Sequence, residues 1–479
     1  MPDAEPRPDQ TATSHGRRAA WRDVLGEGRA IYTLILNLGI GLHAIDVFII
    51  STVMPAVVED LGGAAYYAWS TMLYMVASII GAASGAPIKA ALAARRGYVL
   101  AGLIFLLGSA GCGASPNMLT LLAMRTIQGF GGGLLLAQSM ALVGELYPPA
   151  LRTRILALVS GVWGVAALIG PMVGGAFAEL EWWRGAFWAS LPVILLFTGL
   201  AWRTLPVGTR PESIPPFPIR RLALLGAGVL SVGLASTAEN HVAMVVLVAV
   251  ALLLVGVTLR LDAGADSRLF PSHAASLHSP VGTAFWIFFL TSITHVSIGV
   301  FLPLVLQVVH GVTPLAAGYF NAILAIAWTT ASFVTASWRG QAVVLALVGG
   351  QALSFLGMAG LAVGTVTFAP WAIGCLTAMV GFGVGTCNLH LTAATMRAGL
   401  PGEESITASS IPTMRSLGIA FGAAGAGLIA NLAGLGQGIS VETVARAVTW
   451  VDSATAVAPA VAALLAIRVV SLHRRTVRS

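Results

Sequence analysis

Residues 31–63 read IYTLILNLGIGLHAIDVFIISTVMPAVVEDLGG, an apolar stretch with a single carboxylate, Asp46, near its middle. About twenty helical residues cross a hydrocarbon core of about 30 Å, so this stretch predicts a transmembrane helix, with Glu59 and Asp60 ending it outside the lipid. The rest of the chain repeats the pattern. Of 479 residues, 57% are hydrophobic and only 9% charged, with a mean hydropathy of +0.86. A soluble domain carries about 25% charged residues, so this inventory excludes a water-soluble fold.

Counting apolar runs predicts spans near 31–55, 68–92, 98–115, 118–147, 154–178, 186–204, 222–238, 242–259, 283–308, 314–337, 341–364, 371–396, 406–433 and 453–470. The expectation is an all-α polytopic membrane protein of 14 transmembrane helices. With a cytoplasmic N-terminus, the inner segments receive Arg17, Arg18, Arg22, Arg29, Lys89, Arg95, Arg96, Arg152, Arg154, Arg203, Arg210, Arg220, Arg221, Arg260, Arg268, Arg339, Arg397, Arg474, Arg475 and Arg478. Outer loops receive Arg184 and Arg446 alone. A missed span would invert every later loop and destroy this asymmetry, so both termini are expected in the cytoplasm.

Two inner connections are long: 203–221, with PESIPPFPIR, and 260–282, with RLFPSHAASLHSP. They isolate a hairpin, 222–259, that reads as lipid-facing or peripheral because its spans hold no charge or amide. The layout is six plus two plus six: tail 1–30, bundle 31–204, linker with hairpin 205–282, bundle 283–470 and tail 471–479. A substrate path between two bundles is the natural architecture. No signal peptide precedes the first span. Cys112, Cys375 and Cys387 lie in apolar runs without paired or metal-ligand spacing, so packing is their expected role and no metal site is predicted. The net charge of +7 forms no patch with interleaved aromatics, so no nucleic acid is expected as a partner.

An ionisable group at bilayer depth costs about 2.5–3.5 kcal/mol and is a functional candidate by default. Asp46 reads as the only one of 19 acidic residues well inside a span. Arg125 in the fourth span and Arg415 in the thirteenth are comparably placed, and Arg125 is the compensating charge in the same bundle. A movement that separates and rejoins a carboxylate and an arginine changes proton affinity, which makes Asp46 and Arg125 a candidate proton switch. His43, three residues before Asp46 on the same helical face, either shares that proton or is a hydrogen-bonded packing residue. Asn37, Gln128, Gln138, His295, Asn321, Gln351, Asn388 and His390 are the other polar groups at depth. Each either lines a polar cavity or bonds between helices.

These residues resemble the major facilitator superfamily, and within it the fourteen-span drug:proton antiporters. AIDVFIISTVMPAVVEDLGG resembles the family's first-helix motif through Asp46, Pro55 and Leu61. RTIQGFGGG is similar to the fourth-span motif, matched by Arg125, Gln128, Gly129 and Gly131; in the family that arginine is tied to proton coupling. GVWGVAALIGPMVGGAFAE resembles the antiporter motif through Gly170, Pro171, Gly174 and Gly175, with Ala157 and Ala166 replacing two upstream glycines. EWWRGAFW, with Trp183, Arg184 and Phe187, resembles the outer signature before the sixth span. ITASSIPTMRSLGIAFG, with Arg415 and Gly418, resembles the thirteenth span. In the gating loop between spans two and three, Leu92, Arg95 and Gly97 match. Ala90, Ala94 and Tyr98 replace a glycine, an aspartate and an arginine.

The resemblance implies proton-coupled efflux of hydrophobic or cationic small molecules, such as drugs or antibiotics, by alternating access across the cell membrane. Protons would be the coupling ion, with no other cofactor, and the working unit a monomer. Cavity candidates are Asn37, Gln138, His295, Asn321, Asn388 and Arg415. Lys89 is the only lysine among 26 basic residues, which points to a GC-rich bacterial genome and an inner-membrane location. The alternatives are a metabolite importer or uniporter of the same fold, and a non-transporting receptor. No enzyme motif lies in a span, so an enzyme is not expected.

Overall fold

The computed structural model describes residues 24, 26, 28–207, 217–265 and 268–476. Arg17, Arg18, Arg22, Arg210 and Arg478, most of the 1–30 tail and most of PESIPPFPIR lie outside the described residues. Every helix of the first bundle follows an expected apolar run: α1 Arg29–Leu61, α2 Trp69–Ala83, α3 Gly85–Leu92, α4 Ala94–Gly113, α5 Met118–Leu146, α6 Pro149–Glu179, α7 Trp183–Trp188 and α8 Leu191–Thr204. The hairpin is α9 Ile219–Ser236 and α10 His241–Ala263. The second bundle comprises α11 Pro280–Val308, α12 Pro314–Thr335, α13 Gln341–Gly364, α14 Pro370–Arg397, α15 Glu404–Leu432, α16 Val441–Thr455 and α17 Val457–Thr476.

Capping fixes several starts. The side chains of Asn117, Asn240 and Ser279 accept the N–H of Thr120, Ala243 and Gly282 at 2.9, 2.6 and 2.9 Å. Each satisfies a donor that the helix leaves orphaned. Pro280, Pro314 and Pro370 open α11, α12 and α14, where a missing N–H costs nothing. Among the described residues, thirteen helical segments are long and apolar enough to span a bilayer. The bent pair of residues 64–83 and 85–92, 48° apart, brings the number to fourteen. Pro87 lacks the N–H that would bond Ala83, and the Ser84 hydroxyl donates instead to the Ile80 carbonyl at 2.7 Å, which accounts for the bend.

Two expectations change. The last span begins at Val441, not 453, because Ser440 and Thr443 form a reciprocal capping box well before the apolar run. Arg446 and Asp452 are therefore helical, and Asp452 is a second carboxylate buried in a span, hydrogen-bonded by the Thr365 hydroxyl at 2.8 Å. The hairpin is not uniformly lipid-facing: α10 is mostly exposed, whereas α9 packs on α15 and α2 of both bundles. A methyl group on Gly233 would lie 2.8 Å from Met72 of α2, so its absence permits that approach, and Ser236 accepts from Trp69 Nε1 at 3.2 Å. Just beyond the expected bounds, Arg221 pairs with Asp262, whose carboxylate also accepts the backbone N–H of Leu269 and Phe270 at 2.7 and 2.9 Å. Cys112 and Cys387 are buried as packing residues, but Cys375 is exposed on α14.

The two bundles meet through α6 on α12 and α2 on α15. Gln307 Nε2 donates to the Thr52 carbonyl at 3.3 Å, Asn321 Nδ2 to Ser51 Oγ at 3.3 Å, the Leu315 N–H to Glu179 at 3.3 Å, and Asn431 Nδ2 to the Ala65 carbonyl at 2.8 Å. All four bonds lie in the half of the molecule that carries Leu61, Glu179 and Gly434, with the Leu315–Glu179 and Asn431–Ala65 bonds at that end and the two others closer to mid-depth. A methyl group on Gly175 would lie 2.4 Å from the Leu315 Cα, and one on Gly318 would lie 2.7 Å from the Pro171 Cβ. These contacts are backbone-close, so they cannot be relieved by a rotamer change.

Two predictions follow from this packing. Gly175→Leu should force α6 from α12, lower stability by about 1–3 kcal/mol as overpacking does, and depress the melting midpoint in detergent; an unchanged midpoint would show that the seam is loose. Glu403 lies in the loop before α15 and binds the Ser272 hydroxyl and, at 2.9 Å, the Ser272 N–H, with Arg268 3.5 Å away. These donors hold its carboxyl below the usual range. A depressed carboxyl stabilises above its unfolded value, near pH 4.3, and that contribution disappears as pH falls through the folded value. Hydrogen-exchange protection of residues 268–283 should therefore be level above about pH 5, fall on stronger acidification, and lose this step in Glu403→Gln.

Candidate functional site

The centre of the first bundle is built on glycine. A methyl group on Gly131 would come within 2.5 Å of the Phe105 backbone nitrogen, and one on Gly129 within 2.3 Å of the Tyr74 carbonyl oxygen. Their absence lets α5 lie directly on α4 and α2. The side chains that α5 projects between these helices are consequently enclosed on every side. Arg125 is 1% exposed and Asp46, on α1, is 5% exposed.

Arg125 Nη1 donates to Asp46 Oδ2 at 2.5 Å and to Gln128 Oε1 at 2.5 Å. Gln128 Nε2 donates to Asp46 Oδ1 at 2.8 Å and to Ser109 Oγ at 2.9 Å. Both carboxylate oxygens thus have donors, and Gln128 touches both members of the ion pair. The Arg125 guanidinium also lies 4.2 Å from the centre of the Tyr74 ring, a cation–π contact in a dry setting. Only its Nε is buried without a partner. Losing either ion would leave the other buried and uncompensated, which costs about 3–5 kcal/mol. Protonating Asp46 removes the charge without removing the side chain, and Gln128 can then keep hold of the guanidinium.

His43 does not share a hydrogen bond with Asp46. Its Nδ1 meets the Tyr74 hydroxyl at 2.7 Å, its ring stacks on Tyr74 with centroids 5.5 Å apart, and Trp163 of α6 meets it edge-on at 6.0 Å. Tyr74 therefore stands between the histidine and the ion pair. Sequence reasoning did not single out Tyr74, Ser109 or Trp163; only an aromatic hydroxyl at bilayer depth marked the first. Asp452 falls one residue before the expected last span, 453–470, so hydropathy alone does not place it at depth.

The remaining candidates are distributed. Gly170 and Gly174 face α1: methyl groups there would lie 2.4 Å from the Phe48 Cβ and 3.0 Å from the Ile49 carbonyl oxygen. Pro171 and Gly175 face α12, so the antiporter segment touches both bundles from one helix. Asn37 donates to the Thr33 carbonyl of its own helix at 2.7 Å, and its Oδ1 is buried without a partner. Gln138 is buried with neither amide atom bonded, close against Gly97. In the gating loop Leu92 is half-buried, Arg95 lies 5.0 Å from the Trp202 ring, and Ala94 is buried, so no acid occupies that place. On the second bundle, Asn321 donates to Ser51 across the seam, His295 meets Trp328 edge-on at 5.6 Å, and Arg415 bonds Asn388. Gln351 donates to Thr291 at 3.0 Å, and His390 Nε2 lies 3.0 Å from the Thr335 carbonyl oxygen, both within the second bundle.

The sequence profile of the Major Facilitator Superfamily matches residues 36–423. A protein named as a probable multidrug-efflux transporter in Mycobacterium tuberculosis is 33% identical over 471 residues, covering 94% of this chain and 97% of its own. Multidrug resistance protein 3 of Bacillus subtilis is 36% identical over 162 residues, 33% of this chain and 31% of its own. Among solved structures, a bacterial homolog of the human lysosomal transporter Spinster, in an inward-facing and unoccupied conformation, aligns with a TM-score of 0.64 at 15% identity, covering 94% of this chain and 98% of that one. A D-xylose–proton symporter aligns at 0.63 and 16% identity, covering 91% and 97%. The fourteen helices, the two abutting bundles and the extent of these matches lead to one conclusion: this chain is a transporter belonging to the major facilitator superfamily.

Proposed function

We propose that the chain exports hydrophobic small molecules in exchange for protons, by alternating access between residues 31–204 and 283–470, with the hairpin in 205–282 as an accessory. The observation that carries this reading is the enclosed Asp46–Arg125–Gln128 network. It is a carboxylate whose charge is balanced by one cation and whose neutral form stays held by an amide. The arginines on the loops at the opposite end from the four interbundle bonds support a cytoplasmic placement of that end and of both termini. The interbundle bonds in the half that carries Leu61 and Glu179 support a path between the bundles that opens inward, where cytoplasmic cargo would enter. The 33% identical mycobacterial protein, named for multidrug efflux and matched over nearly its full length, supports export. A monomer in a bacterial inner membrane fits the loop charges.

The driving force is adequate. One pH unit supplies about 1.4 kcal/mol per proton, and about 100 mV adds about 2.3 kcal/mol per inward charge. Together they sustain a several-hundredfold gradient of a neutral cargo. Protonation of Asp46 from outside would release Arg125 to Gln128 and Tyr74, and deprotonation toward the cytoplasm would restore the pair.

Asp46→Asn fixes the site in its neutral form. In everted vesicles it should abolish dye accumulation driven by a pH gradient, at least tenfold below wild type, while the protein still purifies as a single species. Coupling at the wild-type level would refute the role of Asp46.

A further inference from the structure

The two buried arginines of the bundles are in opposite electrostatic situations. Arg125 has Asp46. Arg415 has no carboxylate partner among the described residues: its Nη2 donates to the Asn388 amide oxygen and, at 3.4 Å, to the Thr392 hydroxyl. Its guanidinium carbon lies 5.0 Å from the centre of the Phe288 ring. All three neighbours are neutral. By a rise of about 1.5 Å per residue, Arg415 stands about 16 Å along α15 from its inner end at Glu404, close to the middle of a core about 30 Å thick. The loop acids Glu403 and Glu404 are too far away to serve as counter-ions.

Nor is the side chain sealed off. Arg415, Asn388 and Thr392 are each half-buried, and neither Nε nor Nη1 of Arg415 is a buried atom lacking a partner, so these two nitrogens open on accessible space. Two of the three helices that supply the cluster reach the first bundle, α11 touching α1 and α15 touching α2, and α14 packs beside them. His295 lies two turns outward of Phe288 on α11, with its ring against Trp328 of α12, so an aromatic surface continues from the guanidinium toward the seam. Arginine keeps its charge in any environment, and its planar fork fits carboxylate, sulfonate and phosphate oxygens. On the opposite wall, Asp46 is consumed by Arg125; within the second bundle, Asp452 of α16 is buried and accepts the Thr365 hydroxyl.

Resting on the export reading above, we infer that Arg415, Asn388 and Thr392 form an anion subsite, and that the cargo is an amphipathic organic anion with an aromatic or aliphatic body. The anionic group sits on the free face of the guanidinium, beside the Asn388 amide, and the apolar body lies along Phe288, His295 and Trp328. A cationic cargo meets an uncompensated positive charge here and no carboxylate to balance it.

The test uses two xanthene dyes of similar shape and opposite charge, carboxyfluorescein and rhodamine 6G, in proteoliposomes of the full chain under an imposed pH gradient. The readout is the ratio of their initial transport rates. Wild type should favour the anion at least tenfold. Arg415→Gln should lower the ratio at least tenfold, and Arg415→Lys should fall between. Asn388→Asp should lower it as far as Arg415→Gln, because a carboxylate placed on the guanidinium supplies the missing counter-ion while the arginine stays packed. A ratio unchanged in both Arg415→Gln and Asn388→Asp overturns the inference, as does a wild type that moves only rhodamine 6G; in that case the export reading stands. A wild type that moves neither dye, or moves them without regard to the pH gradient, overturns both.

Discussion

Everything in the first bundle is arranged so that one guanidinium and one carboxylate can meet where there is no water. An ion pair in a low-dielectric interior recovers its desolvation cost only with close geometry and with its remaining hydrogen-bonding capacity filled. Asp46 and Arg125 meet those terms because Gln128 bonds both and Ser109 anchors Gln128 in turn. The glycines of α5 are what make the enclosure possible. A side chain at Gly129, Gly131 or Gly133 would strike the backbone of α2 or α4, and the helices would part far enough to admit lipid or water. Packing and charge are therefore one design: the small residues bring the backbones together, and the close backbones keep the pair dry.

The second bundle follows a different rule. Its buried polar groups are mostly amides and hydroxyls that bond to neighbouring hydroxyls and carbonyls, as Gln351 does with the Thr291 hydroxyl and Ser354 with the Val380 carbonyl. Its one mid-depth arginine is left with neutral company. The molecule thus has one bundle whose mid-depth charges are closed into a pair and another in which a mid-depth arginine keeps neutral partners. The seam between them is made of backbone contacts at Gly175 and Gly318 and a few side-chain amides. Neutral contacts of this kind separate without stranding a charge in lipid, and a rocking motion requires that.

The end that carries Leu92 and Glu403 is braced differently from what the gating loop implied. Ala94 stands where the resemblance places an acid, and its methyl is buried. Acids do brace this side, but elsewhere: Glu145 pairs with Lys89 at the α3–α5 contact, Asp262 pairs with Arg221 and collects the backbone of the following loop, and Glu403 holds Ser272. Each of these pairs stays within one bundle or ties the hairpin and its loop to the second. None of these three joins the first bundle to the second.

The number of spans and the carboxylate at the centre of the buried network were legible in the sequence, because hydrocarbon leaves no alternative partner for backbone groups and makes every buried charge conspicuous. A run of twenty apolar residues has one available structure, and an aspartate within it stands out on its own helix. Which residues meet was not legible. The partners of Asp46 come from 79 and 82 residues away, Tyr74 intrudes between His43 and the pair, and the end of the last span depended on a polar capping box that hydropathy reads as loop. The hairpin likewise looked uniform in composition, yet α9 is wedged between the bundles while α10 faces lipid, since in a membrane both environments favour the same apolar residues. The sequence by itself determined what each segment is dissolved in and where charge must be compensated. Only the tertiary structure decided which charge found a counter-ion and which, at Arg415, was left open, because that depends on distances between helices that no local pattern encodes.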